Sequence, residues 1–423
     1  MLVVAGMLWT HASRSSRIAL AIAWLVFAGV ALQLLSWPGG EGALGARQLL
    51  HEAQSSAGID GSGLRISLTP WATERGVWAL LPAIAAFSAA LLLPIARRAS
   101  LSWLVVAIAC ASLVLGFLQL GAPQDSPLNP FPQHAPALGG VFANPNHQAT
   151  ALTIALVLVL SWLLGTLGTR GDGSDEDDRA FHSLPLIWRR VAAAVLAAFL
   201  LVAVPLTGSR GMVLIAAGAL LLVPLTSGWL RQQMRSRRGA TLGLVLLGGG
   251  ALLAVGLLVA VSGWVRVDTE LESRGALAKA TAGMAREAMP LGTGVGSFVP
   301  WFDAHAPESL IEHEYFNHAH NEYVQWWLES GVGGLLWIAL LATVMLWAFP
   351  WSALPARRRK DGEPVRSRPE DGDWLASAAW LAVAVVLAHS LVDYPLRTTA
   401  LMTVTAWFAG ITVAAASRRG RAA

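Results

Sequence analysis

The chain has 423 residues, of which 55% are hydrophobic and 13% charged, with a formal net charge of +4 and a mean hydropathy of +0.55. A soluble protein of this length needs more polar surface than that, so soluble enzymes and soluble binding modules are excluded. The basic residues read as topology signals and form no basic–aromatic recognition module, so the net charge says little about nucleic acid and no nucleic-acid partner is expected. Cys110, the only cysteine, leaves no disulfide and no cysteine-rich metal site.

The opening "MLVVAGMLW" is too short to cross a bilayer and lacks the charged start and small-residue cleavage site of a signal peptide. It reads as an interfacial segment or as the remnant of a longer helix. Crossing takes about 20 helical residues, and apolar runs of that order predict about ten spans. They fall at 18–36, 77–95, 101–120, 148–168, 191–207, 211–228, 241–263, 331–350, 374–392 and 400–416. Backbone groups in hydrocarbon must bond within their own segment, so the spans are helices and the fold class is an all-α polytopic membrane protein.

Basic residues set the orientation. With the segment before residue 18 in the cytoplasm, the inner segments hold 21 of the 30 lysines and arginines, among them Arg97, Arg98, Arg189, Arg190 and the run Arg357 to Lys360. That is the bias of the positive-inside rule, and it puts both termini in the cytoplasm. The outer face then carries loops 37–76, 121–147 and 264–330. The inner stretches "GDGSDEDDR" (171–179) and "RRRKDGEPVRSRPEDGD" (357–373) read as solvated linkers. The chain therefore divides into an N-terminal bundle of about seven spans (1–263), one large outer loop (264–330) and about three C-terminal spans with a cytoplasmic tail (331–423). No internal repeat stands out. Of the ten histidines, His11 and His182 fall inside; His51, His134, His147, His305, His313, His318, His320 and His389 fall at or near the outer face. Titratable chemistry is gathered on one side.

Between the fifth and sixth spans, "LTGSRG" puts Arg210 in a tight hairpin at the headgroup level, where it either snorkels to lipid phosphates or pairs with a phosphate the protein holds. The outer loop then predicts a helix over 273–289 with Ala276, Ala280, Met284 and Ala288 on one face and Arg274, Lys279 and Arg286 along it. Pro290 ends it. The Gly-rich "LGTGVGSF" that follows is either a plain turn or one whose N–H groups meet an anion; it does not match a P-loop. In "FNHAHNEYVQWWLESG" (316–331) a helix is expected to begin near the histidines, with His320 aligned with Val324, Trp327 and Gly331 and His318 pointing away. The pair, with Glu312, His313 and Glu314, also has the residue types of a zinc site, although alternating histidines suit a strand better. The plainer alternative is a polar helix start whose side chains cap exposed N–H groups. Near the end, "HSLVDYPLR" sets His389 and Asp393 one helical turn apart with Arg397 beyond; helix capping is the plain alternative there.

Taken in order, "GGVFANPNHQA" (139–149), "LTGSRG" (206–211), "SRGALAKATAGMAREAMPLGTGVGSF" (273–298), "HAHNEYVQWWLESGVGG" (318–334) and "HSLVDYPLR" (389–397) resemble the bacterial O-antigen ligase and polysaccharide polymerase family. The resemblance spans roughly residues 70 to 400, and the "HNEY…ESG" block beside the Gly-rich turn is its most specific part. It implies a GT-C-like, many-spanning inner-membrane glycosyltransferase with one large periplasmic loop. Such an enzyme passes a glycan from an undecaprenyl-diphosphate carrier to an acceptor, lipid A-core or a growing polysaccharide, with no cofactor and no required metal. Carried over by motif, the resemblance gives His320 the role of base and Arg210 and Arg274 that of holding the diphosphate. It also makes His318, Asn321, Lys279, Arg286, Gly294, Gly296, Asn144, His147, His389 and Asp393 candidates for binding substrates. The implied partners are the lipid-linked donor, the saccharide acceptor and the surrounding lipids. A protein O-oligosaccharyltransferase of the same family and a flippase for lipid-linked sugars are the alternatives. A flippase is expected to carry ionisable groups inside its spans, and here they cluster at one face.

Overall fold

A computed structural model describes residues 13–36, 46–58, 65–131, 138–167, 185–226, 269–307, 310, 315–350 and 373–422. In chain order the helices are Arg14–Leu32 (α1), Ala46–Ser56 (α2), Pro70–Leu92 (α3), Ile95–Leu120 (α4), Pro145–Leu167 (α5), Leu186–Leu206 (α6), Arg210–Thr226 (α7), Thr269–Glu287 (α8), Phe298–His305 (α9), Glu322–Trp347 (α10), Asp373–His389 (α11) and Thr399–Ala422 (α12). No strand forms among the described residues; Ser36 and Arg65 make an isolated bridge. Helices α1, α3, α4, α5, α6 and α10, and Thr399–Arg418 within α12, are long and apolar enough to cross a membrane; α7 and α11 are shorter apolar helices. The apolar runs therefore form a polytopic α-helical membrane protein. The predicted span at 241–263, both inner linkers and His134 lie outside the described residues. Helices α2 and α9 were not expected, because each is short and sits inside a loop.

The chain folds as two compact units. One comprises the described residues of Met1–Leu92, Arg266–Trp347 and Ser390–Trp407, the other those of Leu93–Val265, Ala348–His389 and Phe408–Ala423. In the second, α5 is the central element, packed by α4, α6, α7 and α11. Its buried face runs nearly its whole length, from His147 to Ser161. Ala149, Val157, Met212, Ala219, Val223, Leu381 and Val385 form the core there.

In the first unit, α1 packs on α3 and α8 packs on α10. The segment after α8 has its own apolar core. Leu277, Met284 and Ala285 of α8 and Ala288 just beyond it meet Phe298 and Phe302 of α9, Phe316, Ala319 and Leu328. Phe298 and Phe302 are stacked at 5.2 Å between ring centroids, and Phe316 meets Phe302 edge-on at 6.0 Å. Aromatic pairing of this kind adds about 0.5–1.5 kcal/mol to the area buried. The described part of the loop 264–330 thus packs around a core of its own.

Candidate active site

The site is built where this segment meets the residues following α11, all within the first unit. Helix α8 buries Leu277, Thr281, Met284 and Ala285, and Ala288 just beyond it, with Ala280 half-buried, and leaves Ala276 exposed. The expected face with Ala276 is therefore rolled by one position, because Leu277 brings more apolar area to the core than an alanine can. Pro290 cannot continue the helix, and Gly292 closes it at φ 73° with its N–H on Ala288 O at 2.9 Å.

The Gly-rich turn then brackets a break in α10. Gly331 has φ 53° and ψ −126°, so the carbonyls one turn earlier lose their helical donors. Thr293 N donates to Leu328 O and Gly294 N to Glu329 O, both at 2.9 Å, while Val332 N turns to Pro290 O at 2.9 Å. Val295 N donates to Gln33 Oε1 at 2.9 Å. Gly294 and Gly296 sit at φ 106° and 85°, a region that disfavours side chains. A Cβ on Gly292 would stand 2.6 Å from the backbone of Glu329, Ser330 and Gly331. The N–H groups of residues 292 to 295 thus have protein acceptors, and the turn is a bracket for the helix break rather than an anion cradle. Arg47 of α2, buried, donates to Gly292 O at 2.9 Å and to Ile66 O. Burial lowers its pKa from the ordinary arginine value.

Helix α10 starts at Glu322. Asn321 caps it, its Oδ1 accepting from Val324 N at 3.2 Å. His318 and His320 consequently lie before the helix, which corrects the expected helical alignment of His320. His320 is held at φ 48°, a left-handed conformation that costs a non-glycine residue about 1–2 kcal/mol. His318 does not point away from it. Both rings lie against Tyr394, at 4.2 Å for His318 and 4.9 Å for His320 between centroids.

Residues 390–397 form an irregular strap, so His389 and Asp393 do not share a helical turn as expected: α11 ends at His389. The strap is held residue by residue. Glu322 N donates to Ser390 O at 2.9 Å, Asn321 Nδ2 to Leu391 O at 3.0 Å, and Arg274 Nη1 to Val392 O at 3.0 Å. Asp393 is fully buried, accepts from Tyr394 N at 2.8 Å, and lies 3.7 Å from His320 Nδ1. Leu396 N donates to Glu322 Oε1 at 2.6 Å. Arg397 donates to Glu329 Oε2 at 2.7 Å, with its Nε 3.4 Å from Glu322 Oε2. Burial opposes the charge of Arg397, but Glu329 and Glu322 outweigh it and hold its pKa above the ordinary arginine value. Gln325 completes the network. It accepts from Ala319 N at 3.1 Å and donates to Glu329 Oε1 at 2.9 Å, with His318 Nδ1 at 3.3 Å.

Two arginines of this unit therefore differ. Arg397 is enclosed by two carboxylates, whereas half-buried Arg274 meets a backbone carbonyl and, among the described residues, no carboxylate. Lys279 and Arg286 are exposed on α8. The remaining candidates belong to the second unit. Asn144 caps α5, its Oδ1 accepting from Asn146 N at 2.8 Å; His147 is buried with Phe142 edge-on at 6.4 Å. His389 Nδ1 is 2.8 Å from Thr150 Oγ1, both buried. Arg210 is the first residue of α7, after a three-residue link in which Gly208 takes φ 79°.

Sequence reasoning quoted Glu322, Glu329 and Arg397 without joining them and gave Gln325 and Tyr394 no part. The signal was present: Glu322, Gln325 and Glu329 recur at helical spacing on one face of an otherwise apolar helix, which requires a cation opposite. Glu312, His313 and Glu314 of the zinc alternative lie outside the described residues. Among the described ones no group of three histidine, cysteine or acidic side chains is placed to hold a metal.

Bundle and site together define a class: a multi-pass α-helical membrane protein with a packed loop layer that presents an imidazole and an arginine beside a buried acidic strap. The family model described as O-antigen ligase matches residues 192–339, a stretch holding Arg210, Arg274, the Gly-rich turn, His320 and Glu329. That stretch of the chain is therefore similar to the O-antigen ligase family. No curated protein and no solved structure matches the chain.

Proposed function

We propose that the protein takes a glycan from an undecaprenyl-diphosphate carrier and transfers it, without a metal, to lipid A-core or a growing polysaccharide at the periplasmic face of the inner membrane. One observation carries the reading. Arg274 donates to the carbonyl of Val392 and the Asp393 carboxylate lies 3.7 Å from His320 Nδ1, so a guanidinium and an imidazole stand beside adjacent residues of one strap. Transfer to a hydroxyl needs those two groups. As the acceptor oxygen attacks the anomeric carbon, its proton passes to the imidazole of His320, a type of side chain suited to general-base work. The electron pair of the breaking C–O bond goes to the diphosphate, and the guanidinium of Arg274 stabilises the charge as it grows. Arginine serves better than lysine because its fork meets phosphate oxygens in pairs and stays protonated. The resemblance gives Arg210 the same task. A single displacement inverts the anomeric centre. Asp393 orients the imidazole and stabilises its protonated form, and Lys279 and Arg286 on the exposed face of α8 attract the anionic donor.

The test is reconstitution of purified protein in nanodiscs with a lipid-diphosphate glycan, candidate acceptors and EDTA. Transfer that survives EDTA, gives the inverted linkage and disappears in His320→Ala supports the reading. Retention of configuration, or labelling of residues 264–330 only by reagents delivered from the cytoplasm, overturns it. Movement of the lipid-linked glycan across the bilayer without transfer favours the flippase instead.

A further inference from the structure

A buried Glu–Arg–Glu cluster is an expensive way to hold two segments together, since apolar residues of similar volume often hold them equally well. Glu322 and Glu329 are 0% and 1% exposed, and the single guanidinium of Arg397 serves both. The cluster lies between two parts of the site. On one side Arg397 and Leu396 end the strap that carries Asp393 and Tyr394. On the other, Glu329 takes a hydrogen bond from Gln325, which accepts in turn from Ala319, the residue before His320. His320 itself sits in a left-handed backbone conformation, and strain of that kind persists only where the surroundings impose it. Strain and ion cluster therefore meet at one residue, and it is the residue read as the base.

We propose that Arg397, with Glu322 and Glu329, is a positioning latch that holds His320 in its strained conformation against the strap and thereby sets the rate of transfer rather than the binding of the lipid donor. The latch touches no reacting atom. Its charge is enclosed by carboxylates, whereas Arg274 meets a backbone carbonyl. The inference rests on the reading of His320 as the base.

The experiment uses the full chain in nanodiscs with Glu329→Gln, Arg397→Lys and Arg397→Met. Glu329→Gln is nearly isosteric and keeps an acceptor for Gln325, so it tests the latch where Arg397→Met fails to fold. Expected are a ten- to hundredfold fall in kcat for Glu329→Gln and Arg397→Met, a KM for the lipid-diphosphate glycan within twofold of wild type, and partial recovery in Arg397→Lys. A second readout does not need the reaction. Acylation of His320 by diethylpyrocarbonate, followed by mass spectrometry, is expected to be at least fivefold faster in Glu329→Gln than in wild type. Unchanged kcat with unchanged acylation overturns the latch, and so does a raised KM at unchanged kcat, which would make Arg397 a donor ligand. If instead wild type transfers and His320→Ala transfers equally well, the reading of the base fails. The acylation rates then decide the latch alone.

Discussion

Two regions of this protein bury polar groups, and they do so differently. Where α4, α5 and α11 meet in the second unit, the hydrogen-bonded partners are neutral. Ser112 Oγ donates to Gln148 Oε1 at 2.6 Å, Gln119 Nε2 donates to Gly140 O at 2.8 Å while Gly140 N returns to Gln119 Oε1 at 2.9 Å, and Thr150 meets His389. Around the strap in the first unit three buried carboxylates, Glu322, Glu329 and Asp393, stand with two imidazoles and two guanidiniums. Neutral pairs satisfy a backbone turn or a helix crossing at little cost and specify packing. Charges are costly to bury, and removing one partner leaves the other uncompensated. The proposed chemistry falls on the charged strap and not on the neutral α5 seam.

That contrast can be broken or sharpened by substitution. The largest effect is expected from His320→Ala, a fall in transfer rate of about 10²–10⁴-fold, the usual worth of a general base, read in the nanodisc assay. Arg274→Ala comes next, at about 10²–10³-fold, with Arg274→Lys recovering part of the rate; equal rates for Ala and wild type would remove the guanidinium from the reaction. Arg397→Met leaves two buried carboxylates without their cation and is expected to cost roughly 3–5 kcal/mol of stability, read as a lowered Tm in detergent. Gly292→Ala follows, since its Cβ meets the α10 backbone at φ 73°; the strain is about 1–2 kcal/mol before any displacement, and folded yield reports it. The smallest effect is expected from Thr150→Val, roughly 1 kcal/mol in stability with the transfer rate within about twofold. A collapse of transfer there would bring His389 into the chemistry and erase the distinction between the two regions.

Much of the helical plan is legible because crossing a bilayer demands a long unbroken apolar run, and such runs are visible without tertiary information. The hairpin at "LTGSRG" reads correctly for the same reason: with Gly208 between two apolar runs there is little chain left for anything but a tight turn. The site is harder. The sequence displays His320, Arg274 and Asp393 as chemistry-bearing residues in separate segments, 46 and 73 positions apart on either side of His320 (320 − 274 and 393 − 320), and no local rule brings such distances together. Periodicity also misleads at the helix start. Asn321 competes for the first N–H groups and shifts the histidines out of the helix, so a reading that runs the 3.6-residue period through His320 assigns both rings to wrong faces.

By itself, then, the amino-acid sequence determines a membrane bundle, the likeness to O-antigen ligases and the residue types available for phosphate and hydroxyl chemistry, because hydropathy and motif are properties of contiguous residues. Tertiary structure alone decides that the strap 390–397 lies against the start of α10, that Arg397 is enclosed by Glu322 and Glu329 while Arg274 is not, and that Gly292 to Val295 bracket a broken helix. The physical reason is that a charge has its meaning from whatever stands within a few ångströms of it, and in this chain those neighbours are supplied by residues far away along the sequence.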